Sequence, residues 1–225
     1  MINFENISKF YNGDPALDSI NLSVSAGEFI SIVGQSGAGK TTLIKLILAE
    51  EKPTSGSVFF DSVDIHSLKN NAITKMRRRM GVIFQDFRLL PRKTVYENIA
   101  FAMETAGKTD EEIETDVPYI LDLVDIKSKA LLFPHQLSGG EKQRLAIARA
   151  IINQPEVIIA DEPTGNLDPI NTNEVIQILK KINDLGTTVI LTTHNPRIID
   201  SLKKRVVSME KGKIISDNEK GKYKI

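Results

Sequence analysis

The chain has 225 residues, and 29 Lys plus Arg balance 29 Asp plus Glu, so its formal net charge is zero. That balance excludes a chain-wide cationic field for nucleic acid or anionic membrane, though not a local patch. With no cysteine, disulfide staples, thiolate metal sites and a cysteine nucleophile are excluded too. A hydrophobic share of 41% with 26% charged residues suits a folded globular chain, and no apolar run approaches the ~20 residues needed to cross a bilayer. The opening MINFENISKF carries Glu5 and no apolar signal core, so the expectation is an unsecreted, cytoplasmic protein.

In chain order, short β-rich runs come first, at 2–7, 20–24 and 29–33. Turn signals at Asn12-Gly13-Asp14-Pro15 and Ala26-Gly27 separate them. A further strand is predicted at 58–60, after Pro53-Thr54-Ser55-Gly56. From about Lys69 to about Asn153 the pattern is helical, broken by a short strand at 82–84 and by Pro91 and Pro134. The continuous apolar run 157–160 reads as a strand covered on both faces, as does 187–192. Between them, Val175, Ile176, Ile178, Leu179 and Ile182 have helical spacing, and 206–209 with 213–215 form a hairpin around Gly212. The predicted fold is α/β. The start is strand-rich, an α/β core lies at both ends, and the middle is a helical insertion.

Gly34-Gln35-Ser36-Gly37-Ala38-Gly39-Lys40-Thr41 has the spacing G-x-x-x-x-G-K-T between a strand and a helix, the context a phosphate loop requires. Glycines let successive N–H groups curl around phosphate oxygens, and the helix start adds its positive dipole end. Lys40 is placed for the β and γ phosphates and the Thr41 hydroxyl for Mg²⁺, with Thr42 completing the loop. Downstream, the strand 157–160 ends in Asp161-Glu162-Pro163. Asp161 is placed to hold Mg²⁺ or its waters, and Glu162 to polarise a water for attack on the γ-phosphate.

Ser138-Gly139-Gly140-Glu141 opens another helix with the S-x-x-E spacing of a capping box. Two glycines in a first turn weaken a helix. They make sense where a ligand approaches the backbone, giving a second phosphate-binding helix start in the same chain.

LSGGEKQR, together with the phosphate loop and IIADEP, resembles the ATP-binding-cassette (ABC) ATPases over nearly the whole chain. The resemblance implies a P-loop ATPase with a RecA-like core plus an antiparallel β subdomain over 1–84 and 154–225, and a helical subdomain over about 85–153. It also implies a head-to-tail homodimer in which each ATP lies between one chain's phosphate loop and the other's Ser138, Gly139 and Gly140. By the same resemblance Tyr11 stacks on adenine, and Gln85 touches Mg²⁺ or the attacking water and senses the membrane partner. Asp168 lies in the loop crossing the dimer interface, and His194 is the switch histidine on the γ-phosphate. The catalytic set is thus Glu162, His194, Gln85 and Lys40, and the metal set Thr41, Gln85 and Asp161.

Residues 84–100 (FQDFRLLPRKTVYENIA) are similar to the cell-division branch of this family. That likeness implies a peripheral protein on the cytoplasmic face of the plasma membrane, paired with an integral membrane permease and controlling a peptidoglycan hydrolase. The ATPase of a lipoprotein-releasing or efflux system is the second reading. A DNA-repair or chromosome-structuring head would need a long coiled coil between its nucleotide motifs. Lys40 and Ser138 are under a hundred residues apart without heptads, so no nucleic-acid partner is expected.

Phe84, Phe87, Tyr96 and Phe101 cluster far above an even spread. Half are expected in the helical subdomain's core, the rest in a groove for a partner helix. Lys75 with Arg77-Arg78-Arg79 reads as a solvated helix face, alternatively meeting acidic headgroups or an acidic partner segment. Lys220, Lys222 and Lys224 read as a solvated end. Relatives commonly carry a glycine where this chain has Leu48-Ala49-Glu50-Glu51, so a changed loop is expected there.

Overall fold

The computed structural model describes residues 1–219 and 221; the lysines at 220, 222 and 224 lie outside the described residues. Strands β1 (Ile2–Tyr11) and β2 (Asp14–Val24) form a hairpin, and β3 (Phe29–Val33) leads into helix α1 (Lys40–Ile47). Next come β4 (Ser55–Phe60), β5 (Val63–Asp64), α2 (Asn70–Arg77) and β6 (Met80–Phe84). Helices α3 (Val95–Ala106), α4 (Asp110–Leu123) and α5 (Gly139–Ile151) follow. The chain then runs through β7 (Val157–Asp161), α6 (Pro169–Asp184), β8 (Thr188–Thr193), α7 (Pro196–Leu202), β9 (Arg205–Glu210) and β10 (Lys213–Asn218).

Two sheets result. One is antiparallel, in the order β2-β1-β4-β5; the other is β10-β9-β3-β8-β7-β6, parallel throughout except for β10. The apolar runs of the parallel strands divide by period two. Ile158, Ala160, Val189 and Leu191 face a core built with α3 to α6. Val157, Ile159 and Ile190 face a second core with α1 and the antiparallel sheet. Covering on both faces is why these strands read as continuous apolar runs rather than alternating ones.

Local chemistry sets the helix starts. Thr94 with Glu97, Thr109 with Glu112 and Ser138 with Glu141 each close a reciprocal capping box at the starts of α3, α4 and α5. Asn195 caps α7, a short helix that periodicity alone does not reveal. Strands β1 and β2 extend past the predicted 2–7 and 20–24. Asp14 and Pro15, read as turn residues, belong to β2, where a proline is tolerated because β2 is an edge strand.

The basic cluster is a largely exposed face, as expected, but its three guanidinium groups are engaged rather than free. Arg77 donates to the Leu48 carbonyl at 2.7 Å and Arg78 to the Thr105 carbonyl at 2.7 Å. Arg79 pairs with Asp61 and, at 2.6 Å, with Glu156, and lies over the Phe60 ring. Planar guanidinium forks suit such ties between elements, and periodicity cannot distinguish them from free charges.

At 48–51 the chain turns through Ala49, whose φ of 53° is the left-handed region that favours glycine. Ala49→Gly is therefore expected to stabilise the fold by about 0.5–1 kcal/mol, the left-handed penalty of alanine less the backbone entropy of glycine. Calorimetric melting checks the sign; an unchanged or lowered Tm contradicts it.

Candidate functional site

In the parallel sheet, Phe84, Asp161, Thr192 and Ile32 stand side by side in one row of strand partners. Whatever follows these residues therefore leaves the sheet at one edge: Gln85 after β6, Glu162 after β7, His194 after β8 and the phosphate loop after β3. Strand carboxyl ends are where open α/β sheets bind ligands. There a cavity of about 640 Å³ is lined by Ala16, residues 35–42, Gln85, Glu162 and His194.

The phosphate loop closes on Gly39. Its φ is 104°, and a Cβ there would lie 2.7 Å from the Ala16 carbonyl oxygen. Helix α1 starts at Lys40, which is buried. The Lys40 ammonium donates to the carbonyls of Gly34 (2.7 Å) and Gln35 (3.2 Å) and lies 3.3 Å from Glu162 Oε1. The other carboxylate oxygen of Glu162 is 2.9 Å from His194 Nδ1. Glu162 is thus gripped between Lys40 and an imidazole that is itself largely exposed, at the mouth of the loop.

Asp161 and Glu162 share an anchor that sequence reasoning missed. Thr192 is fully buried; its hydroxyl donates to Asp161 Oδ1 at 2.6 Å and accepts the Glu162 N–H at 3.1 Å. Glu162 has φ 49°, left-handed for a non-glycine residue, and this hydrogen bond helps hold it there. A threonine inside an apolar strand run was the available signal. Thr41 Oγ1 donates to Asp161 Oδ2 at 3.3 Å. Thr41 and Gln85 line the cavity and Asp161 stands behind Thr41; hydroxyl, amide and carboxylate oxygens of this kind are hard donors that fit Mg²⁺. The Gln85 Nε2 faces Asn166 Oδ1 at 3.4 Å.

The segment after Gln85 is fastened from two sides, also unanticipated. Phe87 and Arg88 are consecutive left-handed residues, with φ 60° and 47°, and Arg149 of α5 donates to both of their carbonyls, at 3.0 and 2.6 Å. Asn98, fully buried, accepts from Leu90 N–H and donates to the carbonyls of Leu90, Lys93 and Thr94. An arginine inside AIARAI and an asparagine inside an apolar helix were the sequence signals. Of the clustered aromatics, Tyr96 packs on the core and Phe101 is 39% exposed. Phe84 and Phe87 are half-buried, with the Arg88 guanidinium 3.6 Å from the Phe84 ring centre.

Ser138, Gly139 and Gly140 begin α5, and none of them lines the phosphate-loop cavity of the same chain. Tyr11 stands at the end of β1, 40% exposed. Asp168 caps α6, accepting from Ile170 N–H at 2.9 Å and Asn171 N–H at 3.0 Å. Those bonds, that from Asn171 foremost, hold its carboxyl below the usual range.

The sequence profile of the ABC transporter family matches residues 17–165. The cell division ATP-binding protein FtsE of Bacillus subtilis (strain 168) is 50% identical over 224 residues, 99% of this chain and 98% of that protein. FtsE of Mycobacterium tuberculosis is 45% identical over 225 residues, again 99% and 98%. The methionine import ATP-binding protein MetN of Coxiella burnetii is 42% identical, covering 97% of this chain and 64% of that one. Among solved structures, the ATP-binding cassette MJ0796, a dimer in a post-hydrolysis state with ADP and Pi, superposes with a TM-score of 0.90. It is 33% identical, with 99% of this chain and 100% of that one covered.

The chain belongs to the ABC transporter family. As a member it is an ATPase and binds ATP.

Within this cassette the two signature glycines have different surroundings. A Cβ on Gly140 would lie 1.7 Å from Asn171 Oδ1, so a side chain there has to displace that of Asn171 on α6. A Cβ on Gly139 would meet nothing closer than 3.6 Å, so packing within the chain does not require a glycine there. Gly140→Ala is expected to cost about 1–3 kcal/mol of stability, with Asn171→Ala restoring much of it in the double variant. Urea titration of the four chains checks this; a neutral Gly140→Ala refutes the packing account.

Proposed function

We propose that two copies of this chain clasp ATP head to tail and drive an integral membrane partner of the FtsX kind, linked to a cell-wall hydrolase in bacterial cell division. The observation that carries the reading is Glu162 held between Lys40 and His194 at the mouth of a phosphate loop that the chain's own signature residues do not reach. A second chain is the natural source of Ser138, Gly139 and Gly140 for that loop, and the dimeric state of MJ0796 supports the arrangement. Similarity to FtsE proteins at 45–50% identity, above the 42% to MetN proteins, favours division over import. The segment near 85–100 is the surface proposed to receive the partner, and the chain itself is proposed to lie peripherally on the cytoplasmic face of the membrane.

In the proposed reaction, water attacks the γ-phosphorus in line as the bond to the β–γ bridging oxygen breaks, giving ADP and phosphate. Glu162 accepts the proton of the attacking water. Lys40 exchanges its carbonyl and Glu162 contacts for β and γ phosphate oxygens, and His194 follows the γ-phosphate. Gln85 orients the water, the partner chain's α5 start stabilises the developing charge, and Asp168 crosses the interface. Thr41 and Asp161, with Gln85, would hold Mg²⁺, which neutralises phosphate charge when bound. Tyr11 stacks on the adenine. The division into a core (1–84 and 154–225) and a helical subdomain (about 85–153) is proposed as the hinge along which hydrolysis is transmitted.

Glu162→Gln is expected to bind ATP like the wild type, hydrolyse it at least ~100-fold more slowly, and elute as an ATP-dependent dimer in size-exclusion chromatography. Near-normal turnover removes Glu162 as base, and a monomer at saturating ATP removes the clasp. For the cellular role, a mild-detergent pull-down is expected to retrieve a membrane protein with a large extracytoplasmic domain. Retrieval of a substrate-translocating permease instead supports the transporter reading.

A further inference from the structure

We propose that Glu51 is a positioning residue for the nucleotide base: its carboxylate grips the Tyr11 phenol and fixes that ring as a stacking platform beside the phosphate loop. The inference rests on the proposed role of Tyr11 and assigns a role to the segment 48–51, which the nucleotide motifs leave unexplained.

The geometry is that of a built support. Tyr11 ends β1 with its ring 40% exposed, and an aromatic ring in that place samples several rotamers unless it is tied. Its hydroxyl donates to Glu51 Oε2. That carboxylate is fixed by two cations, Lys45 Nζ at 3.1 Å from Oε1 and Lys9 Nζ at 3.2 Å from Oε2. Lys9 also donates to the Lys52 carbonyl at 2.8 Å and stands 5.1 Å from the Tyr11 ring centre. One face of the ring is thereby covered by a cation, while the ring stays 40% exposed, and a flat, neutral base is the ligand that would stack on it.

The turn that carries Glu51 is tied to both neighbours. Glu50 N–H donates to the Lys45 carbonyl of α1 at 2.9 Å, and Thr54 N–H to the Ser8 carbonyl of β1 at 2.8 Å. Thr54 Oγ1 accepts from Phe10 N–H at 3.1 Å. Glu51 therefore joins the end of β1 to the helix that begins at the phosphate loop. Thr42, in the first turn of that helix, acts on the phenol in the opposite sense to Glu51, lowering its pKa. The protonation states suit the bond. Burial, and then Glu51, hold the phenol above its usual range, while the phenol's hydrogen bond holds the Glu51 carboxyl below its own, so at neutral pH one donates and the other accepts.

A positioning role acts on the adenosine half of the nucleotide and not on its phosphates. The test compares binding of Mg-ADP and Mg-pyrophosphate by calorimetry in the wild type, Tyr11→Ala, Tyr11→Phe, Glu51→Ala and Glu51→Gln. Freeing one immobilised side chain costs a factor of about three to ten. Glu51→Ala and Tyr11→Phe are each expected to weaken ADP by that factor, and their double variant no further, with pyrophosphate binding unchanged throughout. Glu51→Gln keeps an oxygen acceptor and is expected to restore most of the affinity. ADP binding by Glu51→Ala equal to wild type, an equal loss for pyrophosphate, or additive losses in the double variant each overturn the inference. If Tyr11→Ala itself leaves ADP affinity unchanged, it is the stacking role of Tyr11 that fails.

Discussion

The constraint on which the site depends is the parallel pairing of β6, β7, β8 and β3 in a register that aligns Phe84, Asp161, Thr192 and Ile32. Parallel strands end at the same edge, so four loops from distant parts of the chain open onto one cavity. A slip of one residue would turn each strand's inward side chains to the opposite face. Both faces are packed, one against α3 to α6 and the other against α1 and the antiparallel sheet, so the register is specified twice.

That edge concentrates charge with few places to put it. Two adjacent carboxylates, Asp161 and Glu162, lie beside a buried ammonium, Lys40. Unpaired charges in such a place are costly, and the structure answers with specific partners. Thr41 and Thr192 take the two oxygens of Asp161, while Lys40 and His194 take those of Glu162. These partners are also the groups that a triphosphate and an attacking water would engage. In the proposed reaction the nucleotide would take over these pairings, and exchangeable partners suit a cycle that must release its products.

The same economy appears away from the chemistry. Arginines that look like free surface charge in the sequence are ties: Arg77, Arg78 and Arg79 fasten α2 to its surroundings, and Arg149 fastens the left-handed pair Phe87 and Arg88. Glu51 does the same for Tyr11 with a carboxylate. Several such ties end on backbone carbonyl oxygens of neighbouring segments, giving those groups a partner.

The nucleotide motifs, the Ser138–Glu141 capping box and the buried strands were legible in the sequence. Each is a local pattern whose physics acts within a few residues: glycines for curled backbone, S-x-x-E for a helix start, continuous apolar runs for doubly covered strands. Thr192, Asn98, Arg149 and Glu51 were not legible as a group, because each acts through a contact 8 to 61 residues away in the chain that only folding creates. Gly140 shows the division within one motif. The sequence marked it as a glycine that a helix start would not choose, but only the packing of α5 on α6 revealed that Asn171 occupies the space a side chain would need. Local hydrogen-bonding and periodicity are written in the order of residues. The choice of partner across the fold is decided by which surfaces the hydrophobic cores bring together.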